Sequence, residues 1–286
     1  MSPSKNEPLP PIVMSFAASD PTGGAGVQAD ILTLASLGCH PLSVITALTV
    51  QDTAGVEGIF PVDADWVADQ ARALLEDMPV SAFKLGMLGS VDAIAAIAEI
   101  ISDYPDIPLI LDPVLASGRG DQFADEEMVE AMVHLLLPQT TILTPNSLEA
   151  RRLAHDDDIE DDSPDLPECA RRLVAHGCEY VLVTGTHENT LQVANILYGS
   201  HGVVRTDKWE RLPGNYHGSG CTLASAIAAH LAWGMEPAEA TAQAQDFTWR
   251  TLAAGFRPGM GQHIPDRFFW AHEDDDDGEA EDAHGA

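Results

Sequence analysis

The sequence predicts an α/β fold, in which helices cover both faces of a mostly parallel central sheet. Short apolar segments with strand-like composition alternate along the chain with longer segments of helical periodicity. The segment 108–112 is apolar without alternation, as expected for a strand buried on both faces. The length of 286 residues allows one large domain or two small ones.

The first half of the chain predicts five strands and three helices. Asp63 and Ser90 are N-cap candidates, because their side chains can accept hydrogen bonds from the first helix N–H groups. The predicted strands span 12–17, 42–50, 56–61, 82–86 and 108–112. The predicted helices span 25–37, 63–75 and 91–101.

The second half continues the alternation and adds two strands of β-type composition in succession. The predicted strands span 140–144, 180–184, 190–197 and 202–209. The predicted helices span 125–136, a segment that begins at 147, 167–176, 223–232 and a final helix from about 237 to 254. In such a sheet ligands bind beyond the carboxyl ends of the strands, so the polar residues that end strands are the candidates for a site.

A glycine-rich turn, 214–222, runs directly into the apolar helix predicted at 223–232. The first N–H groups of a helix have no intrahelical partner, and glycines at 218 and 220 would let an anion approach them closely. Cys221 lies at this helix start, where a thiol pKa is expected to be lowered, so it is a candidate base. The alternative is a glycine turn that only starts a helix.

Two carboxylates, Asp112 and Glu149, are the best placed to hold Mg²⁺, which prefers few protein ligands together with waters and phosphates. Asp112 could instead cap the loop that follows its strand. Asn146 and Glu149 also have the spacing of a capping box, a role that can coexist with metal binding.

The net charge of −31 argues against nucleic acid and against an anionic membrane surface as partners. No apolar run approaches the roughly 20 residues that span a bilayer, and the polar N-terminus has no signal-peptide pattern. Four scattered cysteines in no zinc pattern favour a reduced, cytoplasmic location. The acidic segments 156–165 and 273–282 are expected to be solvated.

Several nucleotide-binding signatures are absent from the sequence. The glycines at 23, 24 and 26 do not form the GxGxxG pattern of dinucleotide sites. There is also no GxxxxGK[ST] loop and no HRD or DFG set. If phosphoryl transfer occurs here, the anion cradle must be the helix start at 218–221.

Six motifs in order, at 19–30, 43–51, 84–88, 111–114, 144–149 and 217–222, resemble the hydroxymethylpyrimidine/phosphomethylpyrimidine kinases of thiamine biosynthesis. These enzymes belong to the ribokinase-like superfamily, and the resemblance covers roughly residues 12–255. It implies a ribokinase-like fold, ATP with Mg²⁺, and two successive phosphorylations of 4-amino-5-hydroxymethyl-2-methylpyrimidine. It also implies a homodimer.

The resemblance assigns roles to residues at the strand ends. Asp30, Gln51 and Met87 would contact the pyrimidine, and Asp112 and Glu149 would organise Mg²⁺ and phosphate. The N–H groups of Gly218, Ser219, Gly220 and Cys221 would form the anion hole, with Cys221 as the catalytic base. Asn146, Thr184 and Thr186 would lie at the nucleotide.

The sequence departs from the family pattern in two places. The family usually has Lys-Gly-Gly-His where this chain has Thr184, Gly185, Thr186 and His187, so the lysine expected at the ATP phosphates is missing. Either the threonine hydroxyls and Mg²⁺ suffice, or another cation reaches in. The Lys-Asn-Thr-His that usually precedes the anion hole is also altered, at 214–217.

The resemblance and the composition together predict the domain organisation. We expect a disordered segment at 1–11, one kinase domain at 12–270 and an acidic disordered tail at 271–286.

Other functions stay open at this point. The alternatives to the pyrimidine kinase are a pyridoxal or pyridoxamine kinase of the same superfamily, a non-catalytic sensor of thiamine precursors, and a thiol hydrolase using Cys221 with His217.

Overall fold

A computed structural model describes residues 9–116, 122–155 and 163–272 of the chain. Within them, one sheet of nine strands has the order β3-β2-β1-β4-β5-β6-β7-β8-β9. The strands are β1 (Ile12–Ser19), β2 (His40–Gln51), β3 (Val56–Pro61), β4 (Val80–Leu85), β5 (Leu109–Leu111), β6 (Ile142–Leu143), β7 (Tyr180–Val183), β8 (Gln192–Gly199) and β9 (Gly202–Glu210).

The helices alternate with the strands, as the sequence predicts. They are α1 (Gly26–Ser36), α2 (Ala64–Asp77), α3 (Val91–Ser102), α4 (Glu126–Ala131), α5 (Ser147–Leu153), α6 (Leu166–Ala175), α7 (Ser219–Ala232) and α8 (Pro237–Ala253). The predicted caps are confirmed, because Asp63 accepts from the Asp65 N–H and Ser90 from the Ala93 N–H. In the described part of the chain, no helix combines the length and the apolar character that a membrane span needs.

The sheet is parallel from β2 through β1, β4, β5 and β6 to β7, and antiparallel at both edges. Side chains of a strand alternate between the two faces. Thus Val13 packs with Leu34 of α1 and Ile227 of α7, whereas Phe16 packs in a separate cluster with Ile94 of α3. Helices therefore cover both faces, and the predicted fold class is confirmed.

The helix predicted at 125–136 is a regular α-helix only over its first part. Asp125 caps α4, and the chain then widens into a π-helical turn, Met132–Leu136, followed by a 3₁₀ turn that contains Pro138. Proline lacks an N–H group and its ring clashes with the carbonyl one turn earlier. Pro138 thus accounts for the end of regular helix geometry here.

Two other boundaries matter for the site. Helix α7 begins at Ser219 instead of residue 223, so Gly220 and Cys221 lie in its first turn. Strands β8 and β9 form an antiparallel hairpin beside β7. Of the predicted acidic segments, 156–162 and 273–282 lie outside the described residues.

Candidate active site

A cavity of about 730 Å³ opens at the carboxyl ends of the parallel strands. Eleven of the twelve residues predicted for the site line it: Gln51, Met87, Asp112, Asn146, Glu149, Thr184, Thr186, Gly218, Ser219, Gly220 and Cys221. Because parallel strands present their carboxyl ends at the same edge, residues far apart in sequence meet there.

Asp30 is the exception, and the structure places it behind the cavity wall. Its side chain is fully buried on α1 and is absent from the cavity lining. It accepts hydrogen bonds from the hydroxyl groups of Ser15 (2.5 Å) and Ser225 (2.7 Å) and from the ammonium group of Lys84 (3.0 Å). Asp30 therefore acts on the site through Lys84 in this structure.

Lys84 is a site residue to which the sequence reasoning gave no role. Its fully buried ammonium group lies 2.9 Å from Asp30 Oδ1 and 4.0 Å from Asp112 Oδ2. Burial opposes the charged form, but Asp30, Cys221 and Asp112 together outweigh it and raise the pKa of Lys84 above its ordinary value. The signal was visible in the sequence as one lysine inside the apolar strand around Phe83 and Leu85.

The anion hole predicted at 218–221 is a left-handed turn followed by the first turn of α7. Gly218 is the N-cap with φ of +82°, and a Cβ atom there would overlap the carbonyl oxygen of Gly24. Only glycine fits this position. The N–H groups of Ser219, Gly220 and Cys221 belong to the helix start, where no intrahelical carbonyl can satisfy them.

The expected lowering of the Cys221 thiol pKa is wrong for the ligand-free protein. Burial raises the pKa of Cys221 to about 12, although Lys84 acts to lower it, and the carboxylates of Asp112 and Asp30 raise it further. The thiol donates a hydrogen bond to Asp112. Burial and two carboxylates thus outweigh the helix start, and the sulfur carries its proton at neutral pH.

Asp112 and Glu149 both line the cavity and interact electrostatically. Asp112 Oδ2 is buried and has no hydrogen-bond partner. Burial raises the pKa of Asp112, against the opposing charge of Lys84. Burial, and after it the charge of Asp112, raises the pKa of Glu149 to about 8. Two neighbouring carboxyl groups with raised pKa values suit a divalent cation, which would displace their protons and take its other ligands from water and phosphate.

Among the described residues, no group of three His, Cys, Asp or Glu side chains could hold a metal ion without other ligands. Glu149 also completes the predicted capping box, which is confirmed. Asn146 accepts from the Leu148 and Glu149 N–H groups, and Glu149 Oε2 accepts from the Asn146 N–H at 2.9 Å. The box fixes the Glu149 carboxylate at the start of α5, at the edge of the cavity.

The loop that follows β7 carries the departure from the family's lysine. Thr184 extends the pairing of β7 with β6 by one parallel bridge, to Asn146. Thr186 is exposed and lines the cavity. The guanidinium group of Arg211, at the end of β9, donates to the carbonyl oxygens of Thr186 (2.9 Å), Glu188 (3.0 Å) and Thr190 (3.2 Å). The positively charged side chain of Arg211 therefore holds this loop, although Arg211 is not itself part of the loop.

Gln51 and Met87 line the cavity next to β2 and β4, whereas the loop just described lies next to β7, farther along the sheet. Both are partly buried, Gln51 as the last residue of β2 and Met87 just beyond β4. The Met87 carbonyl accepts from the Thr46 hydroxyl at 2.6 Å, which fixes the backbone beside the thioether. An amide that can donate and accept stands there beside an apolar sulfur side chain.

Asp20 joins the first glycine turn, 20–26, to the anion hole. It accepts from the Ala25 N–H (2.7 Å), the Thr22 N–H (2.8 Å) and His217 Nε2 (2.8 Å). Burial alone would raise the pKa of Asp20, but the hydrogen bonds from His217, Thr22 and Ala25 lower it to about 2. His217 is thus committed to Asp20, which leaves no support for it as the partner of a Cys221 hydrolase.

Comparisons with known proteins identify the family of the chain. The family model for phosphomethylpyrimidine kinase matches residues 20–266. The hydroxymethylpyrimidine/phosphomethylpyrimidine kinase of Mycobacterium bovis is 40% identical over 256 residues, which cover 88% of this chain and 92% of the relative. The chain belongs to the phosphomethylpyrimidine kinase family.

Solved structures give the same fold for the phosphomethylpyrimidine kinase family and its neighbours. A phosphomethylpyrimidine kinase from Clostridium difficile is 31% identical with a TM-score of 0.71, covering 83% of this chain and 97% of that one. An ADP complex of Bacillus subtilis pyridoxal kinase is 27% identical with a TM-score of 0.81, covering 92% and 99%. The fold is shared by both kinds of kinase, whereas sequence identity favours the pyrimidine kinases.

Proposed function

We propose that this protein transfers the γ-phosphoryl group of ATP to the hydroxymethyl group of 4-amino-5-hydroxymethyl-2-methylpyrimidine, and then phosphorylates the resulting monophosphate. The observation that carries the proposal is the cavity in which the anion hole, the Asp112–Glu149 pair and Cys221 meet. Family membership supports the same activity.

Gln51 and Met87 would bind the pyrimidine. The Gln51 amide can pair with the aminopyrimidine edge, which offers one donor and one acceptor, and Met87 can pack on the ring face. Asp30 would contribute indirectly, because its carboxylate holds the ammonium group of Lys84 at the cavity wall.

The anion hole at 218–221 would bind the transferred phosphoryl group through backbone N–H groups at the positive end of α7. Cys221 would accept the proton of the attacking hydroxyl group as a thiolate. It would first release its own thiol proton, which is hydrogen-bonded to Asp112, to solvent through the cavity that it lines, and the nearby charge of Lys84 favours the thiolate.

Asp112 and Glu149 would hold Mg²⁺, which supplies positive charge to the nucleotide phosphates when bound. Asn146, Thr184 and Thr186 would lie beside the nucleotide. An ADP complex is known for the pyridoxal kinase of Bacillus subtilis, which shares the fold. This binding mode is consistent with a polar cavity end that holds two threonines and no lysine from the loop itself.

We also propose the following organisation. Residues 12–270 form one kinase domain of a cytoplasmic homodimer. The flanking segments, 1–11 and 271–286, lie mostly outside the described residues. The continuous sheet and the core on both of its faces support a single domain. Exposed apolar side chains on the edge hairpin of β2 and β3 support the dimer.

The test is ATP consumption with Mg²⁺ by wild type, Cys221→Ala and Cys39→Ala, each supplied in parallel with the pyrimidine, its monophosphate and pyridoxal. Cys39 is the matched control, because it is buried and does not line the cavity. We expect wild type and Cys39→Ala to turn over both pyrimidines, and Cys221→Ala to lose about 10²-fold or more in kcat, as expected for loss of a general base.

Turnover of pyridoxal alone would overturn the proposal in favour of a pyridoxal kinase. Tight pyrimidine binding without turnover would instead identify a sensor. Full activity of Cys221→Ala would leave the kinase but remove the base assignment.

A further inference from the structure

Arg267 lies beyond α8, and its guanidinium group joins two separate turns of the site. The side chain is 2% exposed. It donates from Nη2 to the Gly24 carbonyl (2.6 Å), from Nη1 to the Gly23 carbonyl (3.3 Å) and from Nε to the Thr222 hydroxyl (3.1 Å). Gly23 and Gly24 belong to the first glycine turn, and Thr222 follows the anion hole.

The charge of Arg267 has no direct counter-ion among the described residues, since none of their carboxylate oxygens lies within 4.0 Å of it. Its three acceptors are neutral. Burial lowers the pKa of Arg267 to about 10, although the carboxylates of Asp30, Asp20 and Asp266 act to raise it, and it remains charged at neutral pH. These carboxylates offset part of the cost of burying the cation, and an anion bound at the anion hole would offset more of it.

The two turns that Arg267 joins are in direct contact. The Gly24 carbonyl, which accepts from Arg267, packs against the backbone of Gly218 so closely that no Cβ fits there. A Cβ at Gly24 would meet His217 Cδ2 at 2.5 Å. The position of the first turn therefore fixes the position of the Gly218 N-cap, from which the anion-hole N–H groups project.

Arg267 itself does not line the cavity, and Gly23 and Gly24 are also absent from its lining. The guanidinium group lies behind the anion hole. It is hydrogen-bonded to Thr222, the residue that follows Cys221 in the chain. It can act on a bound phosphate through the backbone it holds and through its electric field, which is strong in a buried environment.

We propose that Arg267 is a positioning residue of the anion hole. It locks the turn 20–26 against the turn 214–222, and its buried charge strengthens phosphate binding there. The inference rests on the proposed function, because it assigns the phosphate of the nucleotide, or the phosphoryl group in transfer, as the anion that the charge serves.

The experiment compares Arg267→Met, Arg267→Lys and a matched control, Arg171→Met, whose side chain is 68% exposed on α6. Each is assayed for kcat, for KM with ATP and with the pyrimidine, for the dissociation constant of a non-hydrolysable ATP analogue, and for thermal stability. We expect Arg267→Met to lower kcat about 10- to 10³-fold, as for loss of anion-hole stabilisation. Analogue affinity should also fall, and pyrimidine affinity should stay within about twofold of wild type.

Arg267→Lys separates charge from geometry. The lysine keeps a cation but cannot bridge three acceptors with a planar fork. Analogue affinity should recover most of the way, while kcat should stay low. If Arg267→Met does not fold, Gly24→Ala displaces the first turn from His217 of the other turn without removing charge, and we expect it to reproduce the kcat loss of Arg267→Lys.

Equal losses of pyrimidine and analogue affinity, in step with reduced thermal stability, would overturn the inference, because they indicate a purely structural residue. Unchanged kcat in both Arg267 variants would overturn it as well. Failure of the proposed function looks different: the wild type itself would consume no ATP with the pyrimidine. The analogue-binding comparison would then still decide the role of Arg267.

Discussion

Lys84 and Asp30 form a fully buried ion pair beside the site, with 2.9 Å between Nζ and Oδ1. Ser15 and Ser225 occupy further acceptor positions of the carboxylate, so the pair is well satisfied. Breaking a buried pair leaves one charge without a partner, whereas removing both charges avoids that cost. The pair therefore couples the core to the cavity wall.

We predict that Lys84→Met lowers the free energy of unfolding by about 3–5 kcal/mol, because Asp30 is left charged and unpaired. Adding Asp30→Asn should recover part of that loss, a non-additivity that urea unfolding of both single variants and the double variant can measure. Strictly additive effects would show that the two side chains are not energetically coupled.

Asp20 gives a prediction for the pH dependence of stability. Its pKa falls from 3.8 to about 2 on folding, so its hydrogen bonds contribute about 2 kcal/mol once the pH is well above 3.8. That contribution is lost as the pH falls toward 2. We expect the difference in unfolding free energy between wild type and Asp20→Asn to shrink by about half between pH 6 and pH 3. A constant difference would contradict this account.

The polar residues that end strands could be predicted as site residues from the sequence, because a parallel sheet brings its carboxyl ends together. The Cys221 pKa could not, since it depends on burial and on two carboxylates that only the tertiary structure brings near. Asp30 shows the same limit. Its place in a motif does not reveal that Ser15, Ser225 and Lys84 already satisfy it.

At the scale of elements, the hairpin of β8 and β9 supports the loop that follows β7. Arg211 closes that loop with three hydrogen bonds to carbonyl oxygens. Among the described residues that line the cavity, Lys84 and Arg152 have carboxylate partners at ion-pair distance, whereas Arg211 has none. Its charge is therefore available to an anionic nucleotide.

We predict that Arg211→Gln raises KM for ATP about tenfold and leaves KM for the pyrimidine nearly unchanged, because it weakens the loop and removes a charge at one end of the cavity only. Lys208→Gln, a loss of charge on the same strand outside this cavity, should leave both constants unchanged. Steady-state kinetics with each substrate varied in turn measures the effect. Equal changes in both KM values would argue against a nucleotide-side role.

The types of the elements could be predicted along most of the chain. Their boundaries could be predicted only where a capping or helix-breaking residue nearby in the sequence sets them. Asp63, Ser90 and Asn146 were identified because capping depends on near neighbours. The early start of α7 was missed, because glycines disfavour helix and only the contact of Gly218 with Gly24 fixes the first turn.

At the scale of the whole molecule, one sheet edge presents an apolar face. Leu48 and Phe60 are directly opposite each other on β2 and β3, and Val50 lies on the same face of β2. These side chains are 50%, 69% and 63% exposed, respectively. Apolar residues grouped on an edge hairpin are typical of a contact between protein chains.

We predict that Phe60→Asp converts the proposed dimer to monomers, because a carboxylate would be desolvated at its centre. Light scattering coupled to size-exclusion chromatography gives the mass directly. Val203→Asp, at the other edge of the sheet and 61% exposed, is the control and should leave the mass unchanged. A dimer that persists in Phe60→Asp would place the interface elsewhere.

The order of the strands in the sheet could be predicted only in part from the sequence. Alternating strands and helices indicate parallel pairing, but they do not show that β1 lies between β2 and β4 or that the last two strands form an edge hairpin. A cavity at the strand ends was predictable from general topology. The sequence did not predict that Trp209 of β9, and Arg211 just beyond it, would also line this cavity.

The bond from Arg267 to Gly23 joins residues that are 244 positions apart in the chain. During synthesis the first glycine turn is made long before the arginine that locks it. Bringing together residues so distant in sequence costs loop-closure entropy. A chain cut before residue 267 would contain all nine described strands but lack this lock. A complete sheet is therefore not sufficient for a correctly placed anion hole.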